Sequence, residues 1–222
     1  MRKNKEFVGN LPSIVRNDAG YYLGDLRYYF KILFNKAKNL NNPYHNFRHI
    51  THFLWLGFDA IRFYLNDPQI GSLRQRRNFL IASIFHDFDH VGKAGPDIIN
   101  IERAVKAFKT YCHPDDIDYQ DEIENLIRLS EYPHKSPANE ISLHAQIMRD
   151  VDLTQFISSA WIQQVIFGLA AEQGKQPIEV LKSQETFCNN LKFSTEWAKQ
   201  KFTKNVLEEK IQEIRELVEI LE

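Results

Sequence analysis

The chain reads as all-α, a compact multi-helix fold, on three observations. Apolar residues recur three and four apart through most of its length, the period of a helix with one buried face. The stripes are separated by clusters of Asn, Asp, Pro and Gly, residues that end helices and make turns. The 222 residues hold no low-complexity linker and no internal repeat, which fits one domain over 1–222. A chain of this length buries roughly 70% of the surface its unfolded form exposes, enough for a real core.

Taken in order, Asn41-Asn42-Pro43 reads as a loop leading into a helix start. Phe53, Leu56, Phe58, Ile61 and Tyr64 make the next stripe, closed by Asn66-Asp67-Pro68. Arg74-Gln75-Arg76-Arg77 reads as a solvated basic face ahead of the buried run Phe79 to Phe85. Gly92-Lys93-Ala94-Gly95-Pro96 is a loop, and Ala104, Val105 and Phe108 mark a helix over Ile101 to Tyr111. His113-Pro114-Asp115-Asp116 breaks the chain again before Ile123, Leu126, Ile127 and Leu129. Tyr132-Pro133-His134 to Pro137 forms the following loop, and Trp161, Val165, Phe167, Leu169 and Ala170 a later apolar stretch. A C-terminal helix over about 195–222 carries Leu207, Ile211, Ile214, Leu217, Val218 and Leu221, with Glu208, Glu209, Glu213, Glu216 and Glu219 on its other faces. Its four-three spacing covers too few heptads for a coiled coil. Packing on the domain's own core is expected, as a monomer or a homodimer.

The net charge of -1 gives no global field for nucleic acid or an anionic membrane, so neither is expected as a partner. No run approaches the roughly 18 apolar residues of a membrane span. Met1-Arg2-Lys3-Asn4-Lys5-Glu6 is charged with no hydrophobic stretch behind it, and Cys112 and Cys188 stand in unrelated contexts. A cytoplasmic location is therefore expected.

His86-Asp87-Phe88-Asp89-His90 concentrates metal-ligand types in five residues. Upstream, His45 and His49 are four apart and on a helix would share a face, as would His86 and His90. Asp87 projects beside His86 only if the helix bends or ends there. A buried helix ending in ionisable groups is costly unless those groups are paired or bound to metal. Asp150-Val151-Asp152-Leu153 adds a carboxylate; the two aspartates diverge by about 200° on a helix, and the Leu153 context favours Asp152. Two imidazoles and two carboxylates suit a divalent ion with positions left open to water, which points to metal-assisted hydrolysis. His52, His113 and His144 have no companions at ligand spacing and read as structural. His134 stands level between the site and a plain loop. Glu102 reads as favouring a helix start, with Arg103 a residue that could meet phosphate.

In this order the pieces resemble the HD superfamily of metal-dependent phosphohydrolases, and more narrowly the catalytic domain of class I cyclic nucleotide phosphodiesterases. Tyr44-His45-Asn46-x-x-His49 resembles the family's Tyr-His-Asn-x-x-His motif, and His86-Asp87-Phe88-Asp89-His90-x-Gly92 its His-Asp-x-x-His-x-Gly motif. Val151-Asp152-Leu153-Thr154 is similar to its Ala-Asp-Leu-Ser segment. Glu172-Gln173-Gly174 and Ser183-Gln184-x-x-Phe187 are similar to its Gln-Gly-Asp and Ser-Gln-x-x-Phe segments. The matches span 44 to about 190, a reduced version of a longer family domain. Three departures bear on substrate identity: Lys93 to Ile99 precedes Asn100 as an insertion, Gln155 replaces an Asn, and Lys175 replaces an Asp.

The resemblance implies an HD/phosphodiesterase-like fold and the roles that follow. His49, His86, Asp87 and Asp152 would ligate the first metal, with Asp87 also facing a second. His45 would be the general acid and His90 a neighbour of the second metal's waters. Gln184 would hydrogen-bond a base and Phe187 stack on it, with Tyr44, Gln155 and His134 completing the substrate pocket. The cofactors implied are zinc at the first site and magnesium or manganese at the second. The partner implied is a small-molecule nucleotide, a 3′,5′-cyclic one hydrolysed to its monophosphate by a hydroxide between the two ions. A nucleotide phosphomonoesterase, another HD phosphohydrolase or a non-catalytic nucleotide-binding protein are the alternatives.

Overall fold

A computed structural model describes residues 10–222; the charged opening at 1–6 lies outside the described residues. Among those described there are α-helices, short 3-10 turns and one π-helical segment, and no strand. The all-α expectation holds. None of the helices is long and apolar enough to cross a membrane.

Helix α1 (Leu11–Arg16) and α2 (Arg27–Lys36) lead to α3 (Phe47–Phe63) and α4 (Leu73–Phe85). Then come α5 (Ile98–Tyr111), α6 (Gln120–Leu129) and α7 (Leu143–Asp152). The π segment (Ile162–Phe167) runs into α8 (Gly168–Gln173), followed by α9 (Pro177–Asn190), α10 (Glu196–Lys201) and α11 (Lys204–Leu221).

Helix α4 is the hub. Ser72 and Gln75 close a capping box at its start, satisfying two otherwise orphaned donors. Every residue from Arg77 to Phe85 is buried, so this helix has no solvent face over its last nine residues. It packs against α3, α5 and α6. Gly57 lets α3 approach: a Cβ there would sit 3.0 Å from the Phe79 ring. The larger core gathers around these helices, with Tyr29, Phe53, Phe79, Phe85, Phe88 and Phe108 at its centre. A second core joins Phe156, Trp161 and Val165 to Val180 and Leu181 of α9 and Ile211 and Ile214 of α11.

Three details differ from the expectations. Helix α3 begins at Phe47, capped by Asn46, so the chain between Pro43 and Asn46 is a loop and His45 stands outside the helix. The C-terminal helix is two helices, broken at Phe202–Thr203, where Thr203 caps α11. Its inner stripe packs on α9, whereas Leu221 is exposed.

The third difference is the basic run. Arg77 is buried and forks onto Asp116, with Nε and Nη2 each 2.9 Å from a carboxylate oxygen. Arg74 and the Tyr29 hydroxyl donate to the same carboxylate. Two of the run's three arginines, Arg74 and Arg77, therefore belong to a largely buried ion network and not to a solvated face. Its acidic partner lies 39 residues downstream on the 3-10 turn Pro114–Tyr119, beyond any local pattern.

Candidate active site

Helix α4 stops at Phe85, and His86 holds the cap position with its N–H on the Ala82 carbonyl at 2.8 Å. The next residues turn tightly: Phe88 N–H donates to Phe85 and His90 N–H to Asp87, and Asp89 takes a left-handed φ of 62°. A non-glycine residue there marks backbone held in place by its surroundings. Phe88 supplies part of that hold, fully buried and stacked on Phe85 at 4.9 Å. The His86 ring, stacked on Phe53 at 3.9 Å, and the Asp87 carboxylate meet on another side of this turn.

His49, His86, Asp87 and Asp152 converge there and could hold a metal ion, their ligand atoms all within 4.8 Å of one another. His49 Nε2 lies 3.0 Å from Asp87 Oδ2 and 3.1 Å from Asp152 Oδ1. His86 Nε2 lies 3.3 Å from Asp87 Oδ2, 4.0 Å from Asp152 Oδ1 and 3.4 Å from His49 Nε2. Ligands about 2.0–2.2 Å from an ion stand roughly 2.8–3.6 Å apart across octahedral and tetrahedral edges. The observed spacings centre on that range.

The outer nitrogens of both rings fix their tautomers. His86 Nδ1 donates to the Ser83 carbonyl at 2.9 Å, and His49 Nδ1 donates to Gln155 Oε1 at 2.6 Å. Neutral rings so held turn the lone pairs of both Nε2 atoms inward, the arrangement that second-shell partners impose on metal-binding histidines. Two lone pairs and two carboxylates then crowd one point. Asp87 Oδ2 is buried there and, with the rings neutral, accepts no hydrogen bond among the described residues. A proton on His49 relieves the crowding in part: burial lowers its pKa, but Asp152 and Asp87 outweigh burial and hold it well above the usual range. For Asp87, burial raises the pKa, while His86, His45 and His49 bring it well below normal. A divalent cation would relieve the crowding in full, and the residues fit one.

The loop before α3 brings a second cluster alongside. Glu172, near the end of α8, accepts from the backbone N–H groups of Tyr44 and His45 at 3.0 Å each, and from His45 Nδ1 at 2.6 Å. Helix α8 comes this close because Gly168 has no side chain: a Cβ there would lie 2.7 Å from the Pro43 carbonyl oxygen. Burial raises the Glu172 pKa, but the bonds from His45 prevail and lower it. The His45 ring stacks on His90 at 3.6 Å. His90 accepts from Gly92 N–H at 3.0 Å, and burial, with His45 adding to it, takes its pKa down to about 4.

Asn39, outside every motif, fastens the two loops together. Its Nδ2 donates to the carbonyls of His45 (2.9 Å) and Asp87 (2.8 Å), and its Oδ1 accepts from Asp89 N–H (3.0 Å). It is 1% exposed. Asn42 adds a bond to the His90 carbonyl.

Both clusters open on one cavity of about 510 Å³. Tyr44, His45, His86, Asp87, His90 and Asp152 line its inner end, with Gln155, Gln184 and Phe187 also in the wall. His49 sits behind that surface. Burial, with Asp152 and Asp87 close by, keeps the Tyr44 phenol un-ionised. Gln155 lines the cavity, but its carbonyl oxygen is already taken by His49. Gln184 Nε2 makes a long bond to the Val180 carbonyl, and Phe187 packs edge-on to Phe156.

Of the residues expected at the substrate, His134 alone is outside the cavity lining: its Nδ1 donates to the Glu131 carbonyl, and Tyr132 of the same loop reaches the wall instead. Arg103 is also outside the lining, with Nε on the Asp89 carbonyl. Glu102 pairs with Arg128. Asp150 turns away from the cluster and accepts from Ser194 and Thr195, tying α7 to the start of α10.

Two residues escaped the sequence reading in their roles. Glu172 lies in a segment that carries the resemblance, but its bond to His45 spans 127 positions. Asn39 carries no local signal. No protein-family model, curated protein or solved structure matches the chain.

Proposed function

We propose that the chain is a metal-dependent phosphodiesterase acting on a small nucleotide of the cyclic nucleotide type. The observation that carries the reading is the four-residue ligand cluster, with Asp87 Oδ2 unbonded, opening on the same cavity as a carboxylate-held histidine. His49, His86, Asp87 and Asp152 would hold the first ion, zinc by their donor set. Asp87, which also feels His45, would face a second ion, magnesium or manganese. When bound, such ions supply Lewis acidity toward a phosphoryl group and make water a usable nucleophile near neutral pH.

The chain's own residues do the rest. Glu172 fixes His45 by Nδ1, which leaves Nε2 to carry a proton to the departing oxygen of the diester. Stacking on His90 and the two backbone bonds to Glu172 limit how the His45 ring can swing. Gln184 and Phe187, from one face of α9, offer an amide edge and an aromatic surface to a base. We place the protein in a reducing cytoplasm, which its two unpaired cysteines suit.

The test is hydrolysis of a panel of cyclic mono- and dinucleotides by protein loaded with zinc, manganese or magnesium, with the products identified. Turnover to the monophosphate that drops about 10²–10⁴-fold in His45→Asn, with metal retained, is the expected result. A loaded protein that cleaves no phosphodiester overturns the reading.

A further inference from the structure

We propose that Lys93 selects a substrate bearing a second anionic phosphate besides the one under attack. The inference rests on the phosphodiesterase reading and narrows its substrate class to dinucleotides, cyclic or linear, and other nucleotides with two phosphates.

The observation is a census of charge in the cavity. Four carboxylates line it, and each is committed. Asp87 and Asp152 belong to the ligand cluster, and Glu172 holds His45. Asp97 accepts from the Tyr132 N–H through Oδ2 (2.8 Å) and from Asn100 Nδ2 through Oδ1 (3.3 Å). Lys93 is the only Lys or Arg in the lining, and among the described residues it makes no ion pair. Among the described residues, its ammonium is the one Lys or Arg charge in the lining, and it has no ion-pair partner.

Its placement is built and not incidental. On one side, Gly92 adopts a φ of 69° and packs on Asn42, where a Cβ would come within 2.6 Å of the amide nitrogen. On the other side, Ala94 N–H donates to the Glu172 carbonyl at 3.0 Å. Both neighbours of Lys93 are thus pinned to the strand of loop and helix that forms the His45–Glu172 pair. The backbone of Lys93 is tied on both sides, and its exposed side chain is part of the cavity lining. The wall formed by Phe156, Val165, Leu169, Gln184 and Phe187 carries no charge. A nucleotide whose scissile phosphate lies at the ligand cluster and whose base lies on that wall would find Lys93 as the one Lys or Arg among the described lining residues to meet another anion. The segment is also where the chain departs from the phosphodiesterase pattern, with Lys93 opening the insertion.

The experiment compares two probes that differ only in a terminal phosphate, the linear dinucleotides ApA and pApA. Binding to manganese-loaded protein is measured by calorimetry at low ionic strength, and turnover is followed separately. The parent should bind pApA about tenfold or more tighter than ApA, in the range of a hydrogen bond between charged groups. The ratio should collapse toward one in Lys93→Ala, persist in Lys93→Arg, and shrink as salt is added. Lys175→Ala, which removes a lysine outside the lining, should keep the parent ratio. A parent ratio of one, an equal loss for both probes in Lys93→Ala, or no binding of either probe overturns the role of Lys93. Tight, Lys93-dependent binding of pApA without cleavage of any phosphodiester overturns the catalytic reading and leaves the recognition intact.

Discussion

Two buried carboxylates in this molecule meet opposite fates. Asp116 is closed off: Tyr29, Arg74 and both sides of the Arg77 fork fill its acceptor positions, and it has no exposure to solvent. Asp87 is left open: its Oδ2 is buried among imidazoles at 3.0 and 3.3 Å yet accepts no hydrogen bond. The difference lies in the partners. A guanidinium is always charged and matches a carboxylate in two places, so the pair is permanent. An imidazole can release its proton, so the histidine cluster can exchange a proton for a metal ion. One arrangement uses buried charge to fix a fold, and the other leaves a carboxylate oxygen that could meet a cation.

The sharpest way to break that comparison is to neutralise each carboxylate in turn. Asp116→Ala leaves Arg77 buried without its partner and should destabilise the protein by about 3–5 kcal/mol, the range for half of a broken buried pair. Asp87→Asn in metal-free protein should cost less than that, because its imidazole partners can shed their protons once the carboxylate is gone, whereas the Arg77 guanidinium cannot. Denaturant unfolding of both variants without metal checks this. Equal losses would erase the distinction.

pH separates the two regions further. The Asp116 carboxyl is pushed up by burial but held below its usual range by Arg77 and Tyr29. Its stabilising share is therefore present above the unfolded value of 3.8 and is lost only as pH falls through the lower folded value. His49 runs the other way. Its folded pKa lies above the unfolded 6.5, so in metal-free protein its share is full below 6.5 and is lost as pH rises through the folded value. Thermal melts of metal-free protein should thus weaken on the alkaline side, and a divalent ion should restore the loss. An alkaline limb identical with and without metal would contradict this.

Asn39→Ala probes the fastener between the ligand loops. Losing three buried hydrogen bonds should lower stability by about 1–3 kcal/mol. Turnover should fall more steeply than metal content, because both the His45 and Asp87 backbones lose their shared anchor. Turnover that survives intact would make Asn39 a bystander to the site.

The smallest effect concerns the base wall. Stacking on Phe187, worth about 1–3 kcal/mol per base, predicts a rise of about tenfold in the nucleotide KM for Phe187→Ala, relative to a small aryl phosphodiester in the same variant. Equal effects on both would return Phe187 to the core it shares with Phe156.

Much of this was legible in the sequence because it is written locally. The apolar stripes give α3 to α6 and α11, and the adjacency of His86 and Asp87 after a buried run marks the end of α4 at the ligand turn. The divergence of Asp150 from Asp152 on α7 separates a structural carboxylate from one in the cluster. What was not legible depends on partners far along the chain. Arg77 looked like surface because Asp116 is 39 positions away, and Glu172 acquires its role only once Gly168 lets α8 reach the loop before α3. His134 could not be placed by spacing, since a loop residue has no face to inherit from a periodic neighbour.

The central claim is that His49, His86, Asp87 and Asp152 form a cation site. Equilibrium dialysis against zinc or manganese, followed by elemental analysis of parent and Asp87→Ala protein, tests it most directly. The account predicts tightly held metal in the parent, a marked loss in the variant, and a retained fold by circular dichroism. Equal metal content in the two proteins would contradict it.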